Sequence, residues 1–399
     1  MNGPTAQHVL VINAGSSSLK YQVVDATSGA ALATGLIERI GEPNGLVSHA
    51  VGDAEHEREV AVPDHGAAMA AMSEAFAELG PDLAEANLVA VGHRVVQGGP
   101  DLTESVLITP EVETAIEDVS DLAPLHNPPN LAGIRAARET FADLPQVAVF
   151  DTAFHRTLPA RAATYALDQE VATKHRIRRY GAHGTSHQYV ARAAAHELGI
   201  APEQANLIVL HLGNGASATA VANGRSVDTS MGLTPLEGLV MGTRTGDIDP
   251  AVVFHLARTA GMDIDEIDTI MNRRSGMLGL AGSNDMRDVV SAVEAGDERA
   301  SLALEVYCYR LRKYIGAYTA VLGRVDAVVF TAGIGENSAP VRAGALAGLE
   351  GMGIRLDPAA NEERGTVRIS TPDSPVAVLV VPTNEEWEIA RETVGVITA

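Results

Sequence analysis

The sequence predicts an α/β protein of two related domains, on three observations. A strand, a Gly/Ser turn, a strand, a turn dipeptide and a further strand open the chain at Val9 and recur from Leu207, about half a chain later. Two later strands, Gln146–Asp151 (QVAVFD) and Ala327–Gly335 (AVVFTAGIG), also pair off, each with polar or glycine residues at its carboxyl end. The length, 399 residues, allows two full cores. Together these features read as an old duplication, in which each half offers a phosphate-facing hairpin to a shared cleft.

The opening unit, His8–Lys20, reads HVLVINAGSSSLK. Val9–Ile12 is long enough for a buried strand and too short for a helix. Gly15 frees the backbone to turn tightly, and successive N–H and hydroxyl groups can then close round an anion. The alternative is an ordinary hairpin turn with a solvated serine cluster. The second copy, Leu207–Ser217 (LIVLHLGNGAS), again runs a strand into glycines and a serine. Strands resume at Tyr21–Val24 and Ala218–Ala222 and reach the turn dipeptides Ser28-Gly29 and Asn223-Gly224.

Gly66–Leu79 is a helical pattern closed by Gly80 and Pro81. Leu88–Val91 is strand-like and runs into Gly92–Gly99 (GHRVVQGG), where Arg94 is either a turn salt bridge or a ligand clamp. Leu122–Asn130 (LAPLHNPPN) is a proline-rich loop holding His126, with helix expected from about Leu131. Val147–Phe150 delivers Asp151 at a strand's carboxyl end, where ligands bind in α/β sheets, and a domain boundary is expected there.

Arg178–His187 (RRYGAHGTSH) mixes arginine, histidine, glycine and hydroxyl residues as a packed core rarely does, so it reads as a functional loop. A helix to Leu198 follows, stopped by Gly199. Asp228–Pro250 is a long aperiodic Gly/Thr stretch carrying Arg244, and long loops inside compact domains are usually functional. Asn272–Arg287 is a further Gly/Ser loop. Ala300–Leu322 is the longest helical pattern, either a core helix or a subunit contact. Gly333–Asn337 (GIGEN) follows a strand, and Val376–Val381 is the last strand. Thr383-Asn384-Glu385-Glu386 opens the terminal helix, its glutamates either favouring the helix amino end or meeting a metal.

Composition narrows the function classes. Hydrophobic content of 46% and charged content of 20% are those of a soluble globular protein. No apolar run approaches the roughly 18 residues of a membrane span, and the first eight residues, MNGPTAQH, read as no signal peptide. The single cysteine, Cys308, excludes an internal disulfide and suits a reducing cytoplasm. A net charge of −22 argues against nucleic acid as a partner. It also means that a phosphate site must build a local positive field against the global one. The chain carries only Lys20, Lys174 and Lys313 as lysines, so Lys20 beside the first Gly/Ser turn stands out. Zinc spacing, a Gly-x-Ser-x-Gly elbow and Gly-x-Gly-x-x-Gly after the first strand are all missing.

VINAGSSSLK, GHRVVQGG, LAPLHNPPN, FDTAFH, RRYGAHGTSH, HLGNGAS, DTSMGLTPLEGLVMGTRTGDIDP, FTAGIGEN and PTNEE, in this order over about residues 9–392, resemble the acetate kinase family. The resemblance implies duplicated actin-like ATPase (ribonuclease H-like) domains with a cleft between them, as in actin, hexokinase and the Hsp70 ATPase. Residues 1–151 and 385–399 would form the first domain and 152–384 the nucleotide-binding one. It also implies reversible phosphoryl transfer from ATP to acetate with Mg²⁺ (Mn²⁺ being an alternative), giving acetyl phosphate and ADP, in a cytoplasmic homodimer.

Matched by position, the resemblance gives Asn13 and Glu385 to the metal, Lys20 to the ATP phosphates and Arg94 to acetate. Asp151 and His126 match active-site residues, and His183 with Arg244 the pair that stabilises the transition state. His211, Leu212, Gly213, Asn214 and Gly215 match a phosphate loop. Asp285, Met286 and Arg287, with Gly333, Ile334, Gly335, Glu336 and Asn337, match the adenosine pocket. Acetate, with a pKa near the ~4.3 of Glu, is already ionised at neutral pH and requires no general base. Asp151 therefore reads as orienting an arginine or a metal-bound water.

Four positions depart from the family pattern: Gln97 for histidine, Ala182 for phenylalanine, Asn284 for serine and Trp387 for leucine. Ala182, next to His183, removes a ring from the expected acyl end of the site, which predicts better use of propionate. The alternatives are a propionate or other short-chain acyl kinase and, from another class, a nucleotide-switched binding protein like actin or a chaperone ATPase. Arg94 and Arg244 disfavour the switch, which has no second anionic substrate to hold.

Overall fold

The computed structural model describes residues 7–399. The amino-terminal stretch read as lacking a leader lies, apart from Gln7 and His8, outside the described residues. The chain divides into a first unit, running through Ala153 and regaining Asn384–Ala399, and a second, Phe154–Thr383.

In the first unit, β1 (His8–Ala14), β2 (Ser18–Asp25), β3 (Ala31–Glu38), β4 (Gly45–Val51) and β5 (Ala54–Val60) form an antiparallel meander. β6 (Leu88–Val95) and then β8 (Gln146–Phe150) extend it in parallel on the other side of β1, and β7 (Val106–Leu107) closes the edge. The sheet order is β5-β4-β3-β2-β1-β6-β8-β7.

The reason β1 is buried on both faces is its period-2 alternation between two helical layers. Leu10 and Ile12 join Met69, Met72 and Phe76 of the His65–Leu79 helix. Val9 and Val11 join Ile389 and Ala390 of the Glu385–Thr398 helix. Each such side chain contributes roughly 1.5–3 kcal/mol on burial.

The second unit repeats this plan. β9 (Asn206–Leu212), β10 (Ala216–Ala222) and β11 (Arg225–Thr229) are antiparallel, β12 (Ala327–Thr331) and β14 (Ala377–Val380) add in parallel, and β13 (Val367–Arg368) closes the edge. The order β11-β10-β9-β12-β14 matches β3-β2-β1-β6-β8 strand for strand. Ile208, Leu210 and Leu212 pack with Tyr307, Leu311 and Ile315 of the Glu298–Leu322 helix, and Leu207 and Val209 with Val190 and Ala194 of the Gly184–Glu197 helix.

The duplicated α/β fold read from the sequence is therefore present, with corrections in detail. Topologically β12 corresponds to β6 and β8 to β14, so the two late strands paired in the sequence are not counterparts. Helix begins at Asn127, not Leu131, because Pro128 and Pro129 occupy the first turn, where their missing N–H groups cost nothing. Gly276–Ala281 and Ala332–Asn337 are short helices within stretches expected as loops. The β4–β5 hairpin was not anticipated: β5 reads AEHEREV and lies largely exposed, so it carries no apolar alternation to detect. No helix among the described residues is long and apolar enough to cross a membrane.

Candidate active site

In the first unit, strand ends bring four of the expected residues together. Arg94, near the end of β6, donates from Nε to Asp151 Oδ1 (3.2 Å) and from Nη2 to Asp151 Oδ2. Its Nη1 reaches Asn13 Oδ1 at 3.4 Å, and its Nε lies 3.8 Å from Glu385 Oε2. Lys20, on β2 opposite Asn13, pairs with Glu386. Burial penalises the Arg94 cation, and the Asp151 and Glu385 carboxylates outweigh that penalty and keep it charged. Burial likewise raises the Glu385 carboxyl to about 7, against the pull of Arg94. Asp151 is buried, with both oxygens on Arg94.

Two asparagines from the proline-rich segment fix this arrangement. Asn130 donates to Ala14 O (2.6 Å) and accepts from Val96 N (3.1 Å), tying the ends of β1 and β6 together. Asn127 accepts from Gln97 N and donates to Gln97 O, at 3.0 and 2.9 Å. The sequence reading singled out His126, which sits at the N-cap of the same helix, and missed both asparagines. Their position beside paired prolines at a helix start was the available signal. Gln97 turns its own Oε1 onto Gly99 N (2.9 Å), a local job that needs no histidine. The Gly15 turn closes through Gly15 N to Ser18 O (2.7 Å) without a left-handed glycine.

In the second unit, the β9–β10 turn Gly213-Asn214-Gly215 lies beside His183 and Arg244. A Cβ on Gly215 would stand 3.4 Å from His183 Nε2 and 3.8 Å from Arg244 Nη1, which places both groups in contact range of the turn. His183 caps the Gly184–Glu197 helix in the left-handed region, φ 55°, a conformation that costs energy outside glycine. Its ring stacks on His211 at 4.3 Å. Arg244 donates to Pro235 O (3.3 Å) and lies 3.8 Å from Met241 Sδ. Burial lowers its pKa, with no carboxylate opposing. A partly buried guanidinium so placed favours an arriving anion.

The remaining expected residues fall into two groups. Asn214 accepts from Asn284 Nδ2 (3.2 Å), so Asn284 braces the β9–β10 turn. Asp285 caps the Met286–Glu294 helix and pairs with Arg287, whose guanidinium holds the carboxyl down at about 2. Arg287 is exposed and Asp285 half-buried, while Met286 faces the core. Gly333–Asn337 is held through buried Arg342, which donates to Gly335 O and Glu336 O (both 2.9 Å). Glu336 accepts from Thr383 N (3.2 Å). Ala332 opens that helix at φ 64°, strain that the sequence did not announce.

Residues 8–391 match the acetokinase family throughout. The chain belongs to the acetokinase family. It is accordingly a phosphotransferase with a carboxylate acceptor. An acetate kinase of Clavibacter michiganensis is 59% identical over 389 residues, covering 97% of this chain and 98% of that one. The crystal structure of the Porphyromonas gingivalis acetate kinase matches with a TM-score of 0.94 at 42% identity, over 98% of this chain and 100% of that one. A propionate kinase structure from Francisella tularensis matches at 0.92 and 42%, over 97% and 98%. Among acetokinases Ala182 is the departure of interest. It is buried in the cluster that also holds Met231, Leu239, Val240 and Met241, so packed side chains occupy its surroundings.

Proposed function

We propose that this acetokinase transfers the γ-phosphoryl group of ATP to acetate, forming acetyl phosphate and ADP, and runs in both directions. The observation that carries the reading is the placement of His183 Nε2 and Arg244 Nη1 at the Gly215 turn, two donors flanking a Gly-rich phosphate loop. Phosphoryl transfer is catalysed mostly by positioning and by stabilising charge on the equatorial oxygens, which is what such donors supply. Arg94, fixed by Asp151, takes the acetate carboxylate. Lys20 takes ATP phosphate oxygens. His211–Gly215, Asp285–Arg287 and Gly333–Asn337 would form the nucleotide side, with His126 a further active-site histidine.

A divalent cation fits the first unit. Asn13, Asp151 and Glu385 are hard oxygen donors, and Mg²⁺ or Mn²⁺ is held by one or two carboxylates plus waters and substrate phosphates. There the carboxyl groups of Asp151, Glu385 and Glu386 face the cations Arg94 and Lys20, and a phosphate-bearing substrate adds negative charge for a bound cation to offset. Bound at Asn13 and Glu385, the cation supplies charge neutralisation at the phosphates. The exposed apolar residues Leu302 and Tyr309 on the Glu298–Leu322 helix support a homodimer. The buried free thiol of Cys308 supports a cytoplasmic location.

Acyl phosphate trapped as a hydroxamate, across formate, acetate, propionate and butyrate, tests the reading. Product is expected only with ATP and Mg²⁺ together, and most with acetate. ATP hydrolysis indifferent to every carboxylate, with nothing trapped, would sink it. Arg244→Ala and His183→Ala are each expected to lower kcat on the order of 10²-fold while leaving KM for ATP nearly unchanged.

A further inference from the structure

His183 does not stand alone. Ser217, fully buried on β10, has its Oγ 2.9 Å from His183 Nδ1 and 2.7 Å from His187 Nε2. His187, one helical turn after His183, is itself fully buried, and its Nδ1 has no hydrogen-bond partner. These contacts determine where the protons sit.

A buried N–H without an acceptor is rarer than a buried acceptor without a donor. Neutral His187 therefore leaves Nδ1 bare and carries its proton on Nε2, where it donates to Ser217 Oγ. The Ser217 hydroxyl then has one proton to place and one partner left, His183 Nδ1. His183 Nδ1 accepts, so the His183 proton is on Nε2, the atom beside the Gly215 turn. A second proton on His183 would turn Nδ1 into a donor. Ser217 would then face two donors and be left with a buried O–H that has no acceptor.

We propose that Ser217, backed by His187, is a positioning residue that locks His183 in the Nε2–H tautomer. His183 then meets the transferring phosphoryl group as a neutral hydrogen-bond donor. The inference rests on reading His183 as a phosphoryl-facing group. Burial, with His155 and His211 close by, keeps His187 neutral, which the relay requires. The groups facing His183 include His211, stacked on it; His187, through Ser217; and Arg244, across the Gly215 turn. Each is cationic or can become so, and all disfavour an imidazolium. A neutral donor keeps its proton and needs no counter-charge as phosphate arrives, leaving the cationic work to Arg244.

Ring-nitrogen NMR of protein labelled with ¹⁵N-histidine tests this, with His183→Ala assigning the signals. At neutral pH wild-type His183 is expected to show a protonated Nε2 and a bare Nδ1, still unchanged at about one pH unit lower. In Ser217→Ala the two neutral tautomers should mix, and kcat should fall about tenfold with KM for ATP unmoved. Ser217→Thr, which keeps the hydroxyl, should restore the single tautomer. A wild-type His183 with its proton on Nδ1, or an imidazolium at neutral pH, overturns the proposal, and this spectrum decides even if Ser217→Ala fails to fold. Unchanged kcat in His183→Ala would instead remove the underlying catalytic role while leaving the tautomer result standing.

Discussion

Arg94 in the first unit and Arg244 in the second are both partly buried guanidiniums, yet their surroundings differ in kind. Arg94 is matched by carboxylates, whereas among the described residues the Arg244 guanidinium hydrogen-bonds a carbonyl oxygen and a sulfur. Arg244 was legible from its long aperiodic stretch, whereas Arg94 beside paired glycines read equally as a turn salt bridge and was singled out by the family resemblance. Ala182 reads in the sequence as a departure with two consequences, a roomier acyl pocket or a gap filled from the 228–250 stretch, and the buried cluster with Met231, Leu239, Val240 and Met241 favours the second. With Met231 and Met241 in the same buried cluster, Ala182→Phe is expected to overpack the core at a cost of about 1–3 kcal/mol. Tm should fall, with the propionate-to-acetate ratio of kcat/KM unchanged; a ratio moving towards acetate at unchanged Tm would restore the roomier acyl pocket. A second residue-scale prediction concerns His93, buried on β6 with Nε2 2.7 Å from Gln146 Oε1. Burial lowers its pKa from 6.5 to about 4, so between these values the unfolded chain binds more protons than the folded one. That contribution is intact above about pH 6.5 and is lost as pH falls towards about 4, to the order of 3 kcal/mol. His93→Gln keeps a donor without titrating, and its Tm should decline less over this window. Equal acid slopes would exclude His93 as the cause.

At the scale of elements, strands and their turns were the easiest to read, because β1 and β9 carry apolar runs bounded by glycine. The terminal helix illustrates what was harder. Its start at Asn384, whose side chain accepts from Trp387 N (2.9 Å), follows from local capping chemistry. Its seat does not, since that depends on glycines far away in sequence. Trp387 lies over Gly29, where a Cβ would come within 2.5 Å of the indole, and donates Nε1 to Ala26 O (3.1 Å). Gly92 on β6 gives the same helix its close approach: a Cβ there would collide with Thr393 Oγ1 and stand 2.9 Å from Ile389 Cγ2. Gly92→Ala should therefore lift the helix from the sheet and displace Glu385 at its first turn. The expected result is a loss of about 1–3 kcal/mol in stability together with weaker activation by Mg²⁺. A wild-type melt and an unchanged Mg²⁺ titration would show that the helix seat tolerates the methyl group.

For the whole molecule, the duplication was visible because each copy is local in sequence, a strand–turn–strand unit that any window can find. The correspondence of β6 with β12 was hidden, since it depends on parallel pairing across long crossovers. The duplication sharpens the functional question, because two units with one strand plan offer two hairpin turns and only one nucleotide site is needed. The second unit has the better claim. Its turn is braced by Asn284 and flanked by His183 and Arg244, whereas the Lys20 ammonium beside the first turn is already paired with Glu386. In a chain of net charge −22, a nucleotide should settle where a buried cation lacks a carboxylate. Hydrogen exchange with and without ADP separates the two. At about 100 times Kd, ligand binding stabilises the site by about 2.7 kcal/mol, so amides in residues 211–215, 285–287 and 333–337 should exchange more slowly. Those of β3 and β4 should not change. Protection confined to residues 13–20, with none at 211–215, would move the nucleotide to the first hairpin and leave Arg244 without its proposed anion.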